Sequence, residues 1–291
     1  MYEAYFGLNE NPFNITPDPR FLYLSHQHRE ALDHILYGIN QRKGFVMVTG
    51  GVGTGKTTLS RALLQSLDSS VDTALIFNPS ISEVELLQNV LSEFHLPNLP
   101  PTATKRDYIE TLNEFLLQNF SAGRNAVLII DEAQNLSHRV LEELRLLSNL
   151  ETDREKLLQI ILLGQVELAE MVSLYSLRQL NQRITVRYHL SFLNLEETVA
   201  YINHRLAVAG SNSERLFTDG ACRLVYKYSQ GCPRMINVIC DRAILVAYVC
   251  NQKVVNRGTV VEALRDLGKK KRWLFAKPWG FSRKKSEGVT L

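Results

Sequence analysis

Short apolar runs alternate with amphipathic stretches along the first two thirds of the chain. Phe45–Thr49, Thr73–Phe77, Ala126–Ile130, Leu157–Leu163 and Ile184–Leu190 are five to seven residues long and largely β-branched or aliphatic. That pattern predicts strands buried in a parallel sheet. Between them lie helical patterns. His26–Asn40 carries Leu32, Ile35, Leu36 and Ile39 on one face, and Lys56–Leu67 follows a glycine-rich turn. Ser82–Phe94 opens with Ser82-x-x-Glu85, a capping-box pattern. Thr104–Asn119 places Ile109, Leu112, Phe115 and Leu116 together, and the stretch after Ser137 keeps Leu141, Leu144 and Leu147 in register. Strands alternating with helices predict an α/β fold with a parallel sheet covered on both faces. After Leu190 the alternation stops. Leu195–Ala209, Asp219–Gln230, Pro233–Asn251 and Thr259–Leu267 all read as helices, so a small helical domain is expected to begin near residue 193.

With 291 residues and 45% hydrophobic content, the chain can bury a sizeable core without disulfides or a structural metal. Its longest unbroken apolar run, Ala243–Cys250, is far shorter than the roughly 20 residues that span a bilayer. The amino terminus has neither the basic nor the apolar region of a signal peptide. Cys222, Cys232, Cys240 and Cys250 form no Cys-x-x-Cys pair. They are expected to be buried free thiols of a cytoplasmic protein. Charge is uneven. Residues 269–291 carry net +7, which leaves net −4 on the rest of a chain whose total is +3. In this tail, Lys269–Arg272, Lys277 and Arg283–Lys285 interleave with Trp273, Phe275, Trp279 and Phe281. An anionic membrane surface, a nucleic acid or plain solvation would each suit that composition.

The sharpest chemical signal is Gly50-Gly51-Val52-Gly53-Thr54-Gly55-Lys56-Thr57, with Thr58 following. It fits the P-loop pattern at every fixed position, between a buried strand and a helix. Glycines there let amide groups point inward as an anion nest at a helix start. Lys56 would reach the β- and γ-phosphates of ATP, and the Thr57 hydroxyl would hold Mg²⁺. About 70 residues on, the strand Ala126–Ile130 ends in Asp131-Glu132. Asp131 is placed to orient Mg²⁺ and its waters, and Glu132 to polarise an attacking water.

Three weaker signals follow. The fourth strand runs into Gly164-Gln165, whose side chain could meet the γ-phosphate or the water. Arg178, Arg183 and Arg187 lie beside the fifth strand, where an arginine could complete a neighbouring subunit's site. Arg234 follows Gly231-Cys232-Pro233 in the first turn of a helix, where a cation opposes the helix dipole and an anionic partner would relieve it.

Together these motifs resemble AAA+ ATPases of the ExeA/GspA secretion type, nearest to the branch serving the mannose-sensitive haemagglutinin pilus. The resemblance rests on the P-loop and on Asp131-Glu132-Ala133-Gln134. It rests also on Leu158–Gln165, on Leu177-Arg178-Gln179-Leu180-Asn181-Gln182-Arg183-Ile184, and on the opening Tyr5–Leu8, Asn11–Phe13 and Pro17–Pro19. It covers residues 1–268. It implies a P-loop AAA+ core with a five-stranded parallel sheet in the order 5-1-4-3-2 and an all-helical carboxy-terminal lid. The implied organisation is a nucleotide-proximal segment at 1–25, a core at 26–192, a lid at 193–268 and the tail at 269–291. Gln165 would be the first sensor, Arg183 the preferred arginine finger with Arg178 second, and Arg234 the second sensor. The implied activity is Mg-ATP hydrolysis by a homo-oligomer, coupled to assembly of a secretion or pilus apparatus by a cytoplasmic protein peripheral to the inner membrane. Larger members continue into a membrane span and a peptidoglycan-binding domain. Here the tail follows instead, so no direct cell-wall role is expected. A DNA-acting ATPase of the transposition type shares the core and is the alternative. A small-molecule P-loop kinase fits the helical domain less well.

Overall fold

A computed structural model describes residues 2–268 except 17, 78, 153–154 and 211–214. The basic tail expected to meet a membrane lies outside the described residues. In chain order the elements are α1 (Glu3–Phe6), α2 (His26–Asn40), β1 (Phe45–Gly50), α3 (Lys56–Ser66), β2 (Val71–Ile76), α4 (Glu83–Glu93) and α5 (Lys105–Ser121). There follow β3 (Asn125–Ile130), α6 (His138–Leu147), β4 (Leu158–Gly164), α7 (Val166–Val172), α8 (Arg178–Arg183) and β5 (Ile184–Leu190). The chain then runs through α9 (Leu195–Val208), α10 (Asp219–Ser229), α11 (Pro233–Val249) and α12 (Arg257–Asp266).

The five strands form one sheet in the order β2-β3-β4-β1-β5, all pairs parallel, as the resemblance implies. Alternate residues of each strand point to opposite faces. Phe45 and Met47 of β1 join Leu128, Ile130, Ile160 and Leu162 under α4, α5 and α6. Val46 and Val48 join Val127, Ile129, Ile161 and Leu163 under α2 and α3. Because both faces are covered, β1 and β4 are buried at every position. At the edge, β5 buries only its two ends.

Local chemistry sets the helix starts. Ser82 accepts from the Glu85 amide while Glu85 returns a bond to the Ser82 amide, completing the expected capping box. Thr104 with Asp107 and Asn194 with Glu197 repeat the device. Each such cap is worth about 1 kcal/mol.

The amino-terminal segment packs on the helical domain. Tyr2, Phe6, Leu8, Phe13 and Phe21 are buried with Leu193, Ile202, Leu206, Ile239 and Ile244. Two polar anchors hold it, Arg205 buried and Asp241 half-buried. Arg205, 7% exposed, donates to the carbonyls of Pro12 and Asn14 and lies over the Phe21 ring. Asp241 accepts from Tyr2 Oη at 2.5 Å and from Asn11 Nδ2 at 3.1 Å. The segment is thus a strap on the lid, and the chain crosses to the core only at Ser25, which caps α2. The return crossing lies at Leu193, whose amide donates to the Gly231 carbonyl. Gly231 has φ +75°, and a Cβ there would stand 1.8 Å from the Leu193 carbonyl oxygen, so glycine is required where lid meets core.

The expectation of buried thiols holds for Cys222, Cys232 and Cys240 but not for Cys250. Cys250 sits at the carboxy-terminal end of α11, beyond the helix's buried face, and is exposed.

Candidate functional site

β1 delivers the chain, fully buried, to the glycine-rich loop, and α3 begins at Lys56. Gly53 and Gly55 adopt φ +79° and +100°, a region that L side chains rarely enter. The loop curls around Lys56, which is 5% exposed and whose Nζ donates to the carbonyls of Gly50 (3.0 Å) and Gly51 (3.1 Å). Burial pushes the Lys56 ammonium below the usual lysine range, and the carboxylates of Glu132 and Asp131 act in the opposite direction. The first turn of α3 leaves amides without helical partners beside this cation, which is the electrostatics of an anion site.

β3 places Asp131 one step beyond its last paired residue, and β4 lies between β3 and β1. The ends of three strands therefore converge on the loop. Thr57 Oγ1 donates to Asp131 Oδ2 at 2.7 Å, and Asp131 Oδ1 accepts from the Glu132 amide. Asp131 is 1% exposed, and burial pushes its carboxyl above the usual aspartate range while the Thr57 bond opposes the shift. A buried carboxylate beside a hydroxyl, under an anion nest, is a donor set that suits a hard divalent cation such as Mg²⁺. The residues present therefore fit the metal that the resemblance implies.

Glu132 has φ +55°, a left-handed conformation uncommon outside glycine. The turn brings its carboxylate to two amide side chains. Oε2 accepts from Gln134 Nε2 at 2.6 Å and from Gln165 Nε2 at 3.2 Å. Gln134 Oε1 in turn accepts from the Gln165 backbone amide at 2.9 Å. Gly164 makes room for this network, because a Cβ there would meet Leu168 Cδ2 at 2.6 Å and Gln134 Oε1 at 3.1 Å.

These groups line a cleft of about 380 Å³ between core and lid. Val52–Thr58, Arg61, Glu132 and Gln165 form its core side. Phe21, Leu22 and Tyr23 of the strap, with Tyr201, Arg234 and Asn237 of the lid, form the other. Arg234 is exposed and stands against the loop: a Cβ on Gly53 would lie 2.9 Å from its Cβ. The sequence thus places Val52–Thr58, Glu132, Gln165 and Arg234 in one cleft, with Gly50, Gly51 and Asp131 directly behind it. Arg178 and Arg183 are elsewhere and do not line the cleft of their own chain. Arg183 Nη1 donates to the Arg145 carbonyl at 3.1 Å and to Ser148 Oγ at 2.7 Å, so its own core holds it. Arg178 is exposed, its guanidinium 4.1 Å from the Tyr175 ring centroid.

Sequence reasoning missed two residues. Gln134 was visible only as part of a motif, and its grip on Glu132 depends on the left-handed turn. His28 lines the cleft from the first turn of α2, and only its helix-start position was legible.

Residues 39–172 match the AAA domain family model. Over 274 residues the chain is 46% identical to the General secretion pathway protein A of Aeromonas hydrophila. The match takes in 92% of this chain and 50% of that protein, so the chain spans about half the length of the curated relative. Among solved structures it resembles the ORC2 protein of Aeropyrum pernix, with TM-score 0.66, 16% identity and coverage of 89% of this chain and 72% of the other. It also resembles Cdc6p from Pyrobaculum aerophilum, with TM-score 0.67, 16% identity and coverage of 88% and 70%. The RuvB Holliday junction branch migration motor of Thermotoga maritima follows at TM-score 0.54, 17% identity and coverage of 85% and 73%. At such identities these three likenesses speak for the fold alone. A P-loop on a five-stranded parallel sheet under a helical lid gives this chain the fold of an AAA core, with a segment that matches the AAA domain family, and the chain is similar over 92% of its length to General secretion pathway protein A.

Proposed function

We propose that the chain couples hydrolysis of Mg-ATP to assembly of a secretion or pilus apparatus at the inner membrane. The observation that carries this reading is the 46% identity to General secretion pathway protein A across 92% of the chain. The cleft supports the chemical half. The loop amides and Lys56 would bind the phosphates, and Arg234 would reach them from the lid. Thr57 and Asp131 would hold Mg²⁺, which supplies Lewis-acid neutralisation of phosphate charge. Glu132, fixed by Gln134 and Gln165, would orient and deprotonate the attacking water. Gln165 links that carboxylate to the end of β4, in the sensor position.

Hydrolysis in this reading needs a second copy. Arg178 and Arg183 lie off their own cleft, which suits action on a neighbour's nucleotide. Arg178 is exposed and Arg183 is tethered, so Arg178 is the better placed to reach outward, with Arg183 supporting the face behind it. Mixing Arg178→Ala with Glu132→Gln subunits, each inactive alone, should restore part of the hydrolysis, because some interfaces then join an intact Glu132 to an intact Arg178. Specific activity independent of protein concentration, with no recovery on mixing, would show that no residue acts in trans. Recovery with Arg183→Ala but not with Arg178→Ala would reverse their order.

The partner half is tested by trapping. Glu132→Gln protein loaded with ATP in its native cells should co-purify with envelope-assembly proteins in the membrane fraction. The tail would supply the attachment, since each basic residue near an anionic surface is worth about 1 kcal/mol before screening. A chain ending at Gly268 should therefore leave that fraction. Recovery with duplex DNA and no envelope protein would overturn the assignment. Among the described residues no helix is long and apolar enough to cross a membrane.

A further inference from the structure

An anion nest works only if its backbone carbonyls point away from the anion, and in this loop most of them have an identifiable holder. Lys56 Nζ takes those of Gly50 and Gly51, and the Thr54 amide and hydroxyl also bond to Gly51 O. The carbonyl of Thr54 is held from outside the loop. His28 Nε2 lies 2.9 Å from it, reaching over from the first turn of α2. His28 is 3% exposed, and its Nδ1 lies 2.8 Å from Ser25 Oγ, itself 1% exposed.

The partners fix the tautomer. A carbonyl oxygen can only accept, so Nε2 carries the ring proton. In the neutral ring Nδ1 then accepts the Ser25 hydroxyl proton, while Ser25 Oγ accepts the His28 amide as the cap of α2. Burial lowers the ring's pKa and favours that neutral form; the Thr54 carbonyl and the charge of Glu197 pull in the opposite direction. The ring also abuts Gly55, where a Cβ would lie 2.8 Å from Nε2.

The consequence follows from peptide geometry. In a trans peptide the C=O of one residue and the N–H of the next share a plane and point in opposite directions. Pinning the Thr54 carbonyl outward therefore aims the Gly55 N–H inward, immediately before Lys56 and Thr57. We propose that His28 is a positioning residue for ATP binding, which holds the Thr54–Gly55 peptide so that the loop's amides face the phosphates. This rests on the cleft being the ATP site. It also joins the two ends of the cleft, because His28 follows the strap residues Leu22 and Tyr23 by a few positions on the same chain. Phosphate held in this way is bound alike in ground and transition states, so the interaction belongs in KM and Kd rather than in kcat.

Two variants separate positioning from packing. His28→Phe keeps a buried ring without a donor, and His28→Gln keeps an amide nitrogen within reach of Thr54. Equilibrium ATP binding, KM, kcat and the thermal midpoint are measured for both and for the native protein. His28→Phe should raise Kd and KM about tenfold, with kcat within about threefold of native. His28→Gln should return both constants to within about threefold. Native affinity in His28→Phe would overturn the proposal, as would equal losses in Phe and Gln variants with lowered midpoints, since packing would then be the whole role. If His28→Phe does not fold, Ser25→Ala decides: it leaves the ring in place but frees its tautomer. A weakened Kd at native kcat supports the proposal, and an unchanged Kd overturns it. A native protein that binds no ATP would instead remove the ATPase reading on which the proposal stands.

Discussion

Lys56→Ala protein should lose ATP affinity by roughly 100-fold, about 3 kcal/mol, the scale for removing one partner of a desolvated charge pair. Lys56 is 5% exposed, and its ammonium donates to the carbonyls of Gly50 and Gly51. Its removal therefore costs twice: the phosphates lose a cation, and the carbonyls of Gly50 and Gly51 lose a donor. Lys56→Met keeps the stem's volume and separates these losses from collapse of the loop. Equilibrium titration with a fluorescent ATP analogue, beside thermal midpoints, measures the effect. Affinity within threefold of native at an unchanged midpoint would mean that Lys56 does not meet the phosphates.

Glu132→Gln has the opposite signature. Nothing in the geometry makes Glu132 a phosphate ligand, since its Oε2 is held by the amides of Gln134 and Gln165. Glutamine is nearly isosteric and can still accept from both, but it cannot take a proton from water. ATP should bind with near-native affinity while turnover falls by about 10²–10⁴, the usual contribution of a positioned general base. Phosphate release under saturating Mg-ATP reads it directly. A fall of less than tenfold would assign the water to another group.

Much of this site was legible before the structure because its parts are local. A P-loop binds with consecutive amides, so its residues must be consecutive, and an apolar strand ending in Asp131-Glu132 announces itself within seven positions. The strands were legible for a similar reason. The central strands β1, β3 and β4 are buried on both faces and so read as short apolar runs, and the expected and observed strands of the whole sheet differ by at most two residues at an end. Short elements were not legible. Val166–Val172 and Arg178–Arg183 have too few turns to show a periodicity, and their packing is set by neighbours. Composition alone does not say what the opening segment packs against; the lid receives its rings, with Arg205 and Asp241 as the polar anchors. Both anchors lie about 190 or more residues away in sequence. His28 was hidden for the same reason. A histidine three residues after a capping serine looks like any helix start until α2 is laid against the loop.

The order proposed for the two arginines rests on exposure that no local pattern carries. Arg183 sits at the more distinctive motif position, yet Arg145 and Ser148 hold it. Arg178, one and a half turns earlier, is the one exposed.

The central claim, that this cleft binds ATP and hydrolyses it through Glu132, is tested most directly by the nucleotide the protein keeps. Native and Glu132→Gln proteins are incubated with Mg-ATP, freed of unbound nucleotide by rapid gel filtration, denatured and analysed for ATP and ADP. Native protein should yield mainly ADP, and Glu132→Gln protein mainly ATP in comparable amount. ADP recovered equally from both, or no nucleotide retained by either at concentrations that saturate related loops, would contradict it.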